Sequence, residues 1–163
     1  MFSITVLIVA VSGMAGAMLS SMRLDRVNSE TTTAHEAARR VMEEVRSQDF
    51  ATVFTLYNAD PDDDPGGSGT APGASFAAGA LRPQANDVDG FAGQILFPSV
   101  GNQIREDVVD AGWGMPRDLN VDGVIDGLDH TGDYRMLPVR VRVQWRGVSG
   151  PRTLDLETIL CPR

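Results

Sequence analysis

No charged residue occurs between Met1 and Met22 (MFSITVLIVAVSGMAGAMLSSM), and the first charges are Arg23, Asp25 and Arg26. A run of this kind admits few folds. In a helix, about 20 apolar residues span about 30 Å of hydrocarbon. A secretory signal peptide would place basic residues ahead of its apolar stretch and a small-residue cleavage site after it. No Lys or Arg precedes position 23, which argues against that reading and leaves an ordinary membrane anchor or an assembly element.

The continuation is more restrictive. Leu24, Val27, Thr31, Ala34, Ala38, Val41 and Val45 recur at alternating spacings of three and four, a heptad-like stripe. The positions between them are mostly polar or charged, among them Asp25, Arg26, Asn28, Glu30, Glu36, Arg39, Arg40, Glu43, Glu44 and Arg46. No proline precedes Pro61, so nothing forces a break between the halves. The pattern predicts one helix to about residue 49, roughly 75 Å long by its rise per residue. It is apolar all round over 1–22, for lipid or a bundle, and singly striped over 23–50, for packing against a head at 51–163. Ser12, Gly13, Ala15, Gly16 and Ala17 form a small-residue cluster that lets helices approach closely. Gly13 and Gly16 each lower helix propensity by about 1 kcal/mol relative to alanine, so unwinding on assembly is a further expectation.

Most of the 17 glycines and 9 prolines lie after residue 60, and aromatics are only 6%, which predicts a loop-rich head with a thin core. Asn58 to Gly73 (NADPDDDPGGSGTAPG) reads as an irregular loop. Its Asp60, Asp62, Asp63 and Asp64 are either a solvated acidic loop or a second cation loop. Asn86, Asp87, Asp89 and Gly90 form a similar turn ahead of a strand candidate, Gln94 to Phe97. Pro138 to Trp145 alternates, with Val139, Val141, Val143 and Trp145 on one face and Arg140, Arg142 and Gln144 on the other. After a turn over Arg146 to Pro151, Leu154, Leu156 and Leu160 face inward, with Asp155, Glu157 and Ile159 outward. The two strands predict an antiparallel hairpin that sets arginines against acids and packs its apolar face on the helical stripe.

The most specific local motif is DLNVDGVIDGLD, Asp118 to Asp129. Acids or amides fall at positions 1, 3, 5, 9 and 12 of a twelve-residue calcium loop: Asp118, Asn120, Asp122, Asp126 and Asp129. Gly123 occupies position 6, where the chain must turn sharply, Val124 at 7 offers its carbonyl, and Ile125 at 8 is the expected apolar anchor. Four anionic side chains held close together call for a cation, so bound Ca²⁺ with a structural role is expected, the alternative being a metal-free Asx-rich turn. The aspartate at position 12 and the Gly- and Pro-bearing flanks are similar to dockerin loops rather than to helix-flanked sensor hands.

The formal charge of −8 repels phosphate backbones, and no basic aromatic cluster offsets it, so nucleic-acid binding is not expected. The single cysteine, Cys161, is either a small core residue or a thiol that pairs with another chain. His35 and His130 read as solvated, without visible partners. No nucleophile with a base, phosphate loop or paired catalytic carboxylates emerges, and the chain is read as a non-enzyme.

An apolar start, a continuous amphipathic helix carrying AHEAARRVMEEVRS (Ala34 to Ser47) and a small β-rich head together resemble processed type IV pilins and type II secretion pseudopilins, most closely the minor pilins of the PilV type. The resemblance covers the first 50 residues and, more loosely, the last 25. It implies an α+β fold: a ladle with a long N-terminal α-helix packed against a small antiparallel β-sheet head with long loops. It also implies that a prepilin peptidase leaves Met1 as an N-methylated first residue, and that the subunit sits in the inner membrane before joining an extracellular filament of like or related pilins. One departure stands out. Where the family usually carries a glutamate four residues after the mature terminus, this chain has Thr5. That glutamate is thought to meet a neighbour's terminal amine; Thr5 lacks the acid, as some minor or tip subunits do, or its hydroxyl simply bonds a carbonyl one turn earlier. Met1, Thr5, Gly13 and Gly16 are therefore the candidate assembly positions. Two readings stay open: a structural filament subunit, and a minor or tip pilin or pseudopilin whose head binds a surface or a secreted substrate in a calcium-dependent way.

Overall fold

A computed structural model describes residues 2–162, without the side chains of residues 2, 3, 5, 6, 9 and 10. Of the assembly positions, Met1 and the Thr5 side chain lie outside the described residues. The chain is α+β, a long helix followed by a small antiparallel sheet.

Helix α1, Phe2–Ser47, runs unbroken for 46 residues, as the absence of proline predicts. It stops two residues short of the expected end. The Asp49 side chain accepts from the Ala51 amide at 3.2 Å and caps a 3₁₀ turn, Phe50–Thr52, that leads into a one-turn helix α2, Val53–Tyr57.

The head grips only the second half of α1. Ala34, Ala37, Ala38, Val41, Met42 and Val45 are buried, whereas Leu7, Ile8, Val11, Met14, Met18, Leu19 and Met22 all stand more than half exposed. Leu24, the first residue of the predicted stripe, is 62% exposed, and Val27 and Thr31 are only partly covered. The reason is the reach of the head, which ends at Glu30, whose carboxylate accepts from the Val148 amide at 3.3 Å. Ala37 and Met42 widen the stripe beyond the predicted spacing, because a sheet covers a broader helical face than a coiled-coil seam does.

The strands are β1 (Ser75–Phe76), β2 (Gly93–Leu96), β3 (Ser99–Val100), β4 (Gln103–Ile104), β5 (Leu137–Gly147) and β6 (Gly150–Leu160). One antiparallel sheet has the order β1-β2-β5-β6, and β3 pairs with β4 apart from it. Val139, Val141, Val143 and Trp145 of β5 are buried in one core with the α1 stripe. Burying each valine is worth on the order of 1.5–3 kcal/mol, so this strand is the main apolar support of the head. On β6, Leu154, Leu156 and Leu160 pack partly buried against that core while Asp155, Glu157 and Ile159 face out, as the alternation predicts. The predicted turn tightens to Val148 and Ser149, flanked by the paired Gly147 and Gly150. Phe54 of α2 meets Phe97 edge-on at 5.3 Å and closes one end of the core.

Cys161 is exposed, beyond the end of β6, rather than in the core. Among the described residues no helix is long and apolar enough to cross a membrane, and the apolar run falls partly on side chains outside the description.

One glycine is dictated by a close approach. A Cβ at Gly93 would overlap the Phe76 ring, which lies across its strand partner β1. Gly93→Ala is expected to destabilise the head by about 1–3 kcal/mol, as overpacking does. Urea denaturation should show a lower midpoint with an unchanged slope, and an unchanged midpoint would mean the ring has room to move.

Candidate cation site

The loop Asp118 to Asp129 is moored by one apolar and one ionic anchor. Leu119 is fully buried, and its carbonyl accepts from the Arg135 and Met136 amides at 2.8 and 3.0 Å. At the far end the His130 amide donates to the Ile104 carbonyl at 2.9 Å, tying the loop to β4.

The ionic anchor is Glu106, just past β4 and wholly buried. Its Oε1 accepts from the amides of Leu119 at 2.5 Å and Asn120 at 3.2 Å, and its Oε2 from the Asp126 amide at 3.3 Å. One carboxylate thus stitches both arms of the loop, and the three amides compensate its burial. Nothing in the local spacing of the motif points to Glu106, because it lies outside the twelve residues.

The first half of the loop has the expected shape. Asp118 Oδ1 accepts from the Val121 amide at 2.6 Å and its Oδ2 from the Gly123 amide at 2.8 Å. Asn120 Oδ1 accepts from the Asp122 amide at 3.1 Å, and Asp122 Oδ1 from the Val124 amide at 2.8 Å. Gly123 has φ +89°, the turn that position 6 requires. Val121 has φ +66°, a left-handed conformation that is strained for a β-branched residue.

The second half differs from the expected ligand set. Asp126 Oδ1 accepts from the Leu128 amide at 2.8 Å and lies 3.2 Å from His130 Nε2, while Asp129 Oδ1 takes the Thr131 amide and hydroxyl at 3.0 and 2.6 Å. Ile125, expected as the apolar anchor, is 51% exposed, and Leu119 fills that role.

His130 is buried and partnered, not solvated. Its Nδ1 lies 3.1 Å from Asp133 Oδ1, and its Nε2 3.2 Å from Asp126 Oδ1 and 3.8 Å from Glu106 Oε2. Burial pulls the imidazole pKa down, but hydrogen bonds to Asp126 and Asp133 and the charge of Glu106 more than reverse this and leave it raised. Glu106, Asp126 and His130 each place a ligand atom within 4.8 Å of the others, and Asp118, Asp122 and Asp129 stand outside that cluster. His35 is exposed, as expected.

In the other acidic loop the carboxylates are taken up by backbone amides and neighbouring side chains. Asp60 accepts from the Asp62 amide at 3.0 Å, Asp64 from the Ala71 amide at 3.1 Å and Asp62 from the Ser68 hydroxyl at 3.1 Å. Asp63 Oδ2 binds the side-chain amides of Asn58 and Asn102 at 2.7 and 3.1 Å.

A clamp holds the segment between Glu106 and the cation loop against the outer face of the sheet. Arg140 stands opposite Glu157 in register and bonds it at 2.7 Å, in line with the predicted arginine–acid face. It is nevertheless buried, because Asp110 grips it through two hydrogen bonds of 2.7 and 3.0 Å and the Trp113 ring lies 4.3 Å away. The loop partners Asp110 and Trp113 leave no trace in strand periodicity. Arg142 pairs bidentately with Asp155 at 2.8 Å.

Comparison with protein-family models, curated proteins and solved structures finds no match.

Two outcomes follow from these anchors. Glu106→Gln, which sets an NH₂ group among three amide donors, should destabilise the head by about 1–3 kcal/mol in thermal unfolding, and an unchanged melting temperature would deny Glu106 its anchoring role. Arg140 holds the Asp110 carboxyl down to about 2, from an ordinary value of 3.8. The folded value is depressed, so the clamp's contribution is complete above the ordinary range and fades as pH falls toward 2. A Trp113 fluorescence change between about pH 4 and pH 2 is expected, absent in Asp110→Asn.

Proposed function

We infer that the chain is a structural subunit of a type IV pilus-like extracellular filament, held in the inner membrane before assembly and processed by a prepilin peptidase. The observation that carries this is the division of α1: its second half is roofed by the head, while Leu7, Ile8, Val11, Met14, Met18, Leu19 and Met22, among the described residues, stand more than half exposed on their own chain. Lipid, then the matching half-helices of other subunits, would supply that cover, and Gly13 and Gly16, which have no side-chain atom near them, leave room for close approach. Thr5 in place of the usual acid puts the weight of assembly on apolar packing.

Within this reading the head is calcium-stabilised. Asp118, Asn120, Asp122, Asp126 and Asp129 with the Val124 carbonyl offer only oxygen donors, which suits Ca²⁺. The amide-bonded turn at Asp118, Asn120 and Asp122 favours this, although Asp126 and Asp129 would have to swing from their present partners. A second reading, a minor or tip pilin or pseudopilin that binds a surface or a secreted substrate, is favoured by Val121, Val124, Ile125 and Leu128, all more than half exposed on the same loop.

Val11→Asp should abolish filament formation and membrane retention while leaving the melting temperature of the head unchanged. In electron microscopy of the unsubstituted chain, apolar helices should converge on a common axis with a repeating rise; filaments that form equally well with Val11→Asp would refute the reading. Calcium at 100-fold over its Kd should stabilise the head by about 2.7 kcal/mol, reversed by chelation and lost in Asp122→Asn. A melting temperature indifferent to chelation would remove calcium from the account.

A further inference from the structure

We propose that the head carries a cation site of transition-metal chemistry, of the Zn²⁺ class, formed by Glu106 Oε2, Asp126 Oδ1 and His130 Nε2. It is distinct in donor set from the calcium loop, which it meets at Asp126, and it rests neither on the filament reading nor on calcium.

The first support is geometry. His130 Nε2 lies 3.2 Å from Asp126 Oδ1 and 3.8 Å from Glu106 Oε2. A tetrahedral ion with bonds of about 2.0–2.1 Å sets its ligand atoms about 3.3–3.4 Å apart, a spacing that His130 Nε2 and Asp126 Oδ1 already approach, with all three ligand atoms within 4.8 Å of one another. A calcium ion, with ligands at about 2.3–2.6 Å and a preference for six to eight oxygens, suits this set poorly, and an imidazole nitrogen selects for zinc and its neighbours.

The second support is the way His130 is held. Asp133 Oδ1 takes Nδ1 at 3.1 Å, and Asn120 Nδ2 donates to Asp133 Oδ2 at 3.1 Å, which fixes that carboxylate. A carboxylate behind a histidine is the usual support of a metal-bound imidazole: it keeps the proton on Nδ1 and turns the Nε2 lone pair toward the metal. Here Nε2 faces two carboxylate oxygens. Two carboxylate oxygens gathered at one ring nitrogen suit a positive charge between them, either a second ring proton or a metal ion.

The third support is preorganisation. Glu106 is fully buried and fixed by three amides, so its oxygen needs no ordering on binding, while the Asp126 side chain, 33% exposed, connects the cluster to solvent.

The test uses the full chain in detergent, stripped of metal and titrated with Co²⁺ as a spectroscopic probe. In calcium-free buffer one equivalent should bind with the intense visible bands of a four-coordinate site and be displaced by Zn²⁺. Binding should vanish in His130→Gln, weaken about 10–100-fold in Asp133→Asn, and stay unchanged in His35→Gln and Cys161→Ser, which remove the exposed alternatives. X-ray absorption of the zinc form of the unsubstituted chain should show one imidazole nitrogen and carboxylate oxygens at about 2.0 Å, and it decides the matter should His130→Gln fail to fold. No stoichiometric Co²⁺ or Zn²⁺, binding that survives His130→Gln, or a shell without imidazole would overturn the proposal and leave His130 as the imidazolium of an ion-pair cluster. Asp122→Asn separates the two cations, since it should cancel the calcium response and leave Co²⁺ binding intact.

Discussion

Everything in the head depends on how closely β5 can approach α1. Ala34, Ala37 and Ala38 present little more than backbone on the covered face of the helix, so Val139, Val141 and Val143 come down on it directly. Because α1 and β5 share one core, the rest of the chain is arranged around them. β2 and β6 flank β5, α2 plugs the end through Phe54, and the long loops between β4 and β5 are left to cover the opposite face. That face cannot be apolar, since β5 and β6 place Arg140, Arg142, Asp155 and Glu157 on it. It is covered instead by a charge-matched segment, with Asp110 and Trp113 closing over Arg140.

A head with a thin apolar core must fix its irregular segments by polar means. Glu106 does this for the region after β4. Its fully buried carboxylate would be costly in isolation, and the structure answers with three amides and the imidazole of His130. The loop is thereby held in a turn that keeps even Val121 in a left-handed conformation. Backbone strain of that kind, on the order of 1–3 kcal/mol, persists only where the surroundings over-determine it.

What could be read from the sequence divides along physical lines. The long unbroken helix, the β5–β6 hairpin, its apolar face and the setting of arginines against acids on the other face were legible, because periods of 3.6 and 2 map directly onto faces, whereas the burial of Arg140 was not. The extent of the covered helical face was not, since it is set by where the hairpin turn meets Glu30, a contact between distant parts of the chain. In the loop, spacing identified the turn at Asp118, Asn120, Asp122 and Gly123, whose hydrogen bonds are local. It missed Glu106, which arrives from another element, and it misplaced His130, whose burial depends on Glu106 and Asp133. Ile125 and Leu119 exchanged roles for the same reason: an anchor is chosen by the core it reaches, not by its number in a motif.

The sheet order also bears on which contacts between copies of this chain are harmless. β6 lies at the border of its sheet, and an eleven-residue border strand is an invitation to stray pairing with another chain. Its exposed positions are Pro151, Thr153, Asp155, Glu157 and Ile159; Pro151 lacks an amide donor, and Asp155 and Glu157 are already matched by Arg142 and Arg140. The opposite border, β1, is two residues long and gives little to pair with. Stray pairing between copies is therefore limited at β1 by length and at the start of β6 by Pro151, and the rest of the β6 border is where crowded copies would first meet backbone to backbone.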